Sequence, residues 1–261
     1  MGGTLAHYSQ AGVDIHLICA TRGEAGEVDP DKLEGFSSIG DLREHELFCA
    51  AKELGIQKVH FLNYRDSGMA NTTDNQHPEA LIQAPIDEIA KKIQMIVQDF
   101  KPQVILTFDP IGGYMHPDHI MTHNATLRAF FLSRKENGNI NGYKSYQPEK
   151  LFLHIFPRTF IRFILKFFPL FGKDPRKFGK NGDIDLTRIL QHDFPVNVKI
   201  NYRNVARIRD NASACHASQG GDRQSGYIIT WLLRQISSNE YFMQAFPVVN
   251  RNPLAKDLFV D

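Results

Sequence analysis

The chain has 261 residues, a formal net charge of +1 and three cysteines. That length allows one large α/β domain or two small ones, each with a sizeable core. The balanced charge argues against a nucleic-acid partner, and the scattered Cys19, Cys49 and Cys215 argue against a disulfide framework or a Cys-x-x-Cys metal site.

All three cysteines are therefore expected as core thiols of a cytoplasmic protein. Met1-Gly2-Gly3-Thr4 lacks the basic start and long apolar stretch of a secretory signal. No segment reaches the roughly 18 uninterrupted apolar residues of a membrane span. The nearest, residues 160–171, is broken by Arg162, Lys166 and Pro169. A buried or rim position is its preferred reading, ahead of an interfacial patch, and it is also a candidate wall of the site or dimer contact.

In chain order, residues 4–10 read as a helix closing at Gly12, and residues 13–20 as a mostly apolar strand. Residues 42–54 carry Leu42, Leu47, Ala50, Ala51 and Leu54 near one helical face and stop at Gly55, a favourable C-cap residue. A short strand follows over 58–64. Residues 84–100 place Ile86, Ile89, Ile93, Ile96, Val97 and Phe100 at helical spacing before Pro102, and Val104 to Phe108 reads as a buried strand. The second half is less regular. It gives a helix over 120–132, a polar tip over 135–141, a strand over 150–156 and a Gly/Pro/Lys/Asp surface loop over 173–185. A strand over 196–200 and helices over 205–217 and 226–236 complete it.

Strands alternating with long helices predict an α/β fold, a Rossmann-like and mostly parallel sheet flanked by helices. No repeat or clean linker interrupts it, so one domain over 1–261 is expected. Residues 1–132 would form the core and 133–261 a more variable part shaping the substrate pocket. The chain opens on a helix, where a doubly wound domain normally opens on a strand, so the sheet reads as lacking its first strand.

The densest chemistry lies just after the strand ending at Phe108. Asp109, Gly112 and Gly113 lead into Tyr114-Met115-His116-Pro117-Asp118-His119. Loops at the carboxyl ends of strands are where open α/β sheets place their chemistry. Two imidazoles three residues apart can face one site if Pro117 begins a helix, and Asp118 can orient one of them. An isolated His-x-x-His more often marks a capped helix with surface histidines. Here Asp109, the glycines and the strand-end position favour a reaction centre, with His123 supporting it from the same helical face.

Two further loops are weaker. Thr21-Arg22-Gly23-Glu24-Ala25-Gly26-Glu27 suits close approach of a hydroxyl-rich ligand, but reads equally as an ordinary turn, and it lacks a nucleotide-binding glycine pattern. In Tyr64-Arg65-Asp66-Ser67-Gly68-Met69, Asp66 can accept hydrogen bonds from sugar hydroxyls. Arg43, placed near a helix start where a cation is disfavoured, is a candidate ligand contact. No Gly-x-Ser-x-Gly elbow supports a nucleophilic triad.

On these residues the sequence resembles the PIG-L/LmbE family of zinc-dependent N-acetylglucosamine de-N-acetylases, and looks closest to the mycothiol-pathway branch. The likeness runs from Gly2-Gly3-Thr4-Leu5-Ala6-His7-Tyr8 through the loops at Thr21 to Glu27 and Tyr64 to Ala70. It peaks between Asp109 and His119 and continues loosely at His216-Ala217-Ser218-Gln219 and Glu240-Tyr241-Phe242. The resemblance implies hydrolysis of the acetamide of an N-acetylglucosaminyl substrate, with Zn2+ as cofactor and a small-molecule glycoside or glycoconjugate as partner. It implies His119 as a metal ligand and His116 as the protonated group beside the scissile amide. Asp118 would orient and charge His116, while Tyr114 would help hold the oxyanion. Arg43, Asp66 and Glu27 would bind the sugar.

The family's Ala-His-Pro-Asp-Asp-Glu motif, source of two zinc ligands and the general base, is absent from the chain. Alignment of Gly2-Gly3-Thr4 with the helix that follows it places that motif just upstream of Met1. The zinc site is thus expected to be incomplete in this chain, through a start placed too far downstream. The alternative reading is a metal-free carbohydrate-binding or regulatory relative. The aglycone and the oligomeric state, homo-oligomer included, are left open by the sequence.

Overall fold

A computed structural model describes residues 1–135, 139–140, 143–144, 146–167, 174–177, 182, 185–221, 238–249 and 254–260. The helix expected over 226–236 lies outside the described residues. So do most of the loop expected over 173–185, part of the tip over 135–141 and the end of the apolar segment at 168–171.

The elements run α1 (Gly2–Gln10), β1 (His16–Cys19), α2 (Ile39–Leu54), β2 (Lys58–Phe61), α3 (Ile86–Phe100) and β3 (Val104–Phe108). They continue as α4 (Gly112–Met115), α5 (Pro117–Lys135), β4 (Asn139–Ile140), β5 (Tyr143–Lys144), β6 (Lys150–Ile155) and α6 (Arg158–Phe167). The last are α7 (Leu186–Ile189), β7 (Val198–Asn201), α8 (Ala206–Cys215) and β8 (Asn239–Phe246). The chain forms two compact units, one of Met1–Gly68, Gln76–Gln83 and Ile200–Glu240, the other of Met69–Asn75, Ala84–Lys199 and Tyr241–Asp261.

In the first unit β1 and β2 pair in parallel, His16 opposite Lys58 and Cys19 opposite Phe61. The helix α2 starts earlier than its apolar pattern. Ser38 caps it by accepting the Asp41 N–H at 3.1 Å, and Ser37 donates its N–H and hydroxyl to the Asp41 carboxylate. Gly55, at φ 72°, ends it in the left-handed conformation that suits glycine. Small residues let the helices of this unit approach closely. Ala6, Ala50, Leu54, Tyr202, Val205, Ala206 and Ala212 form a buried cluster, and a Cβ on Gly3 would sit 2.3 Å from the Tyr202 ring. The first turn of α1 directs the N–H groups of Gly3 and Thr4 at the Glu240 carboxylate, an anion placed where the helix dipole favours it.

The expectation of three core thiols is corrected here. Cys49 is exposed on α2 and forms a disulfide with Cys215 at the end of α8. Packing of α2 against α8 brings the two Cα atoms to 5.8 Å, within bridging range, although 166 residues separate them. Spacing along the chain carries no trace of such a contact. Cys19 keeps its thiol, which donates to the Thr21 carbonyl, and burial pushes its pKa up to about 11.

The four-stranded sheet has the order β3-β6-β8-β7. β3 and β6 are parallel, with Phe108 opposite His154, whereas β8 runs antiparallel to β6, so this sheet is mixed. β6 lies between two neighbours, and Leu151, Phe152, Leu153 and Ile155 are all buried. Each such side chain contributes about 1.5–3 kcal/mol of apolar transfer. The helix α3 buries Ile89, Ile93 and Val97 at i, i+4 spacing and carries Asp87 and Glu88 in its first turn. Among the described residues no helix is long and apolar enough to cross a membrane.

Candidate active site

The second unit assembles the histidine cluster. Asp109, only 2 % exposed, follows β3, and one of its carboxylate oxygens accepts the N–H groups of Ile111 at 3.2 Å and Gly113 at 2.7 Å. Burial raises the Asp109 pKa, opposed by those two bonds and by His123 and His192. The turn this carboxylate organises is tight. Gly112 and Gly113 have φ of 63° and 75°, and Met115, at φ 69°, carries a side chain in the left-handed region. A Cβ on Gly112 would lie 2.7 Å from Cβ of His119, so glycine there lets α5 begin against the loop.

His116 stands immediately before α5 with extended backbone, as the residue before a proline should. Its Nδ1 accepts the Asp118 N–H at 3.2 Å, so the imidazole caps the helix. With Nδ1 as acceptor, Nε2 carries the hydrogen of the neutral ring and is a donor. His119 has the opposite arrangement. Its Nδ1 lies 3.0 Å from the Gly112 carbonyl, which can only accept, so the Nε2 lone pair is the one suited to a metal. The two imidazoles are 4.9 Å apart between centroids, and the Tyr114 ring stands edge-on to both, 6.0 Å from His116 and 5.2 Å from His119. Asp118 is buried in the first turn of α5. His123 is buried one turn beyond His119, and its Nδ1 meets the Phe108 carbonyl at 2.8 Å. Burial holds its pKa below the usual histidine value.

The first unit gathers the polar loop residues. The Arg43 guanidinium lies across the loop, with Nη1 2.5 Å from the Gly23 carbonyl. A Cβ on Gly23 or Gly26 would come within 2.4 Å of it, which accounts for both glycines. The Arg43 Nε is buried and makes no hydrogen bond among the described residues. Because α2 begins at Ile39, Arg43 lies in its second turn, past the strongest part of the helix dipole. Its placement is set by the glycine loop rather than by an unfavourable helix start. Asp66 is buried and accepts the Gly68 N–H at 3.0 Å, while Glu27 is exposed on the loop.

Three side chains that the sequence did not single out belong to these neighbourhoods. Glu24 ties the two loops of the first unit together, accepting the N–H groups of Arg22 at 3.3 Å and Asp66 at 3.1 Å. Glu46, three residues beyond Arg43, is buried and binds Ser218. His154 pairs in register with Phe108, so both point to one face of the sheet, and Phe108 stacks on His119. A histidine within the apolar run Leu151 to Ile155 was the available signal for the last of these.

A catalytic zinc needs about three protein ligands and an open position. Among the described residues no group of three His, Cys, Asp or Glu side chains could hold a metal. His119 is oriented to supply one ligand, and these residues by themselves do not fit a catalytic zinc.

The PIG-L family model, described as GlcNAc-PI de-N-acetylase, matches residues 1–130. The 1D-myo-inositol 2-acetamido-2-deoxy-alpha-D-glucopyranoside deacetylase of Thermobifida fusca is 38 % identical over 169 residues, covering 61 % of this chain and 58 % of that protein. The chain therefore spans less than two thirds of that relative's length. The enzyme of the same name from Geodermatophilus obscurus is 31 % identical over 227 residues, covering 84 % of this chain and 77 % of its own. The structure of N,N'-diacetylchitobiose deacetylase from Pyrococcus horikoshii shares the fold, with a TM-score of 0.59 at 20 % identity over 94 % of this chain and 77 % of that one. With the histidine loop and the glycine loop formed as described, and a relative matched over most of both lengths, the chain belongs to the PIG-L family of de-N-acetylases.

Proposed function

We propose that the protein removes the acetyl group from an N-acetylglucosaminyl substrate by hydrolysing its acetamide. The observation that carries this reading is the pair of oppositely oriented imidazoles, His116 with Nε2 as donor and His119 with Nε2 as lone pair. Deacetylases of the family depend on a metal. Zn2+ is the metal this reading favours, but the described residues supply only His119 towards it, so the steps below belong to the chain's own side chains.

His116 donates a hydrogen bond from Nε2 to the amide oxygen as water adds to the carbonyl carbon, and the protons of that water pass to the departing amine as the C–N bond breaks, leaving acetate. The Tyr114 hydroxyl assists at the same oxygen. Asp118 positions His116 through the backbone N–H it presents to Nδ1. Arg43, Asp66 and Glu27 bind sugar hydroxyls: Arg43 as a fixed fork of donors, the carboxylates as acceptors. The substrate is a small-molecule glycoside. On the relatives' names, glucosamine linked to myo-inositol is the first compound to test. A cytoplasmic site of action belongs to the same proposal, and there the Cys49–Cys215 bond would face reduction.

The test is release of primary amine from 1D-myo-inositol 2-acetamido-2-deoxy-α-D-glucopyranoside in zinc-containing buffer. Release that falls about a hundredfold or more in His116→Ala is expected. Saturable sugar binding with no amine released would select a carbohydrate-binding relative instead.

A further inference from the structure

The buried carboxylate of Glu46 has no part in the chemistry above, yet it is only 4 % exposed. Burying a carboxylate is costly unless it is fully hydrogen-bonded. Among the described residues Glu46 meets that need at Ser218, accepting its N–H at 2.6 Å on one oxygen and its hydroxyl at 2.7 Å on the other. The segment it holds is tied down twice more. The Lys32 ammonium donates to the Ala217 carbonyl at 2.5 Å, and the Cys49–Cys215 disulfide anchors the residue before His216 to α2. Glu46 lies three residues from Arg43 and Cys49 three further on, so one stripe of α2 carries the sugar-binding candidate, the clasp and the cross-link. Residues 217–219 pack against α2, and Arg43 and Glu46 are i, i+3 neighbours on that helix, which sets the clasped segment against the stretch of α2 that carries the guanidinium.

We propose that Glu46 is a positioning residue: by clasping Ser218, with the Cys49–Cys215 disulfide as a second brace, it keeps residues 216–219 packed on the stretch of α2 that carries Arg43 and so holds that stretch, and the guanidinium with it, in register with the glycine loop. This rests on the reading of Arg43 as a sugar-binding residue. The second brace is reversible. Two equivalents of a small-molecule thiol convert the bond into two protein thiols and leave as one disulfide, two electrons and two protons passing to the protein.

The test reads Arg43 directly through its side-chain Nε–H resonance, assigned by its loss in Arg43→Lys. In folded Glu46→Gln and Ser218→Ala protein that resonance should shift and exchange faster with water, while Ser218→Thr, which keeps the hydroxyl, should retain the wild-type signal. Reduction should move the resonance in the same direction, and reoxidation should return it. The dissociation constant for methyl 2-acetamido-2-deoxy-α-D-glucopyranoside should rise about tenfold in Glu46→Gln. An unmoved Arg43 resonance in folded Glu46→Gln and Ser218→Ala overturns the proposal and leaves Glu46 a stability residue. Failure of the wild-type protein to bind the glycoside overturns instead the sugar-binding reading of Arg43, and the resonance still decides whether the clasp exists.

Discussion

The His119 imidazole lies flat on the Phe108 ring, centroids 4.0 Å apart and planes within 10° of parallel. With Nδ1 held by the Gly112 carbonyl, the ring is fixed in tilt by its neighbour on β3 and in rotation by the loop. The backbone at Gly112 thus controls the metal-type nitrogen. Gly112→Ala adds a Cβ at φ 63° and within 3 Å of both His119 Cβ and the Ile120 nitrogen. It should destabilise the protein by about 2 kcal/mol or more and change the His119 tautomer populations. Gly35→Ala, at φ 86° with nothing within 4 Å, carries only the backbone penalty of about 1 kcal/mol. Denaturant unfolding of the two variants, with 15N shifts of His119, checks the difference.

Cys19 should be a poor nucleophile. Its thiol is held near pKa 11 by burial and donates to a carbonyl, so little thiolate forms at pH 8. Iodoacetamide at that pH should leave all three cysteines of the folded, oxidised protein nearly unlabelled, and reduction should open only Cys49 and Cys215. Peptide mass spectrometry of the labelled protein reads each site.

His123 should make the fold sensitive to mild acid. Burial lowers its pKa in the folded state, so the unfolded chain takes up its proton first as pH falls. Its contribution is therefore fully present above about pH 6.5, the usual histidine value, and is lost below that as pH drops towards the folded-state pKa. Asp109, whose pKa is raised, has the opposite sign: its contribution is lost as pH rises from about 3.8. The quantity that isolates the histidine from the carboxylate is the wild type minus His123→Gln, a variant that can still donate to the Phe108 carbonyl. That difference in unfolding free energy should shrink between pH 7.5 and pH 5.5, as measured by urea titration.

Much of this architecture was legible because local pattern and tertiary burial agree. The apolar spacing from Ile86 to Phe100 marks α3, and the uninterrupted Val104–Phe108 run marks β3. The histidine loop was legible because its residue types and its place after a strand point the same way. Other features depend on contacts far apart in sequence. β8 mixes polar residues with Tyr241, Phe242 and Phe246 and becomes a strand through pairing with β6, which a local window does not show. The Cys49–Cys215 bond and the Glu46–Ser218 clasp each span more than 160 residues. A glutamate in the middle of α2 reads as a solvated face until α8 is packed against it. The early start of α2 was hidden because its cap is built from Ser37, Ser38 and Asp41 rather than from apolar residues.

On the proposed function, the His116–Tyr114 end of the cluster handles an acetamide. That role is tested most directly by following the His116 ring resonances during titration with methyl 2-acetamido-2-deoxy-α-D-glucopyranoside and, separately, with methyl α-D-glucopyranoside, which lacks the acetamide. The expected result is a saturable shift of the His116 signals with the acetamido sugar and none with the plain glucoside. Equal shifts with both sugars, or a His116 signal that stays fixed while the acetamido sugar binds, would contradict it.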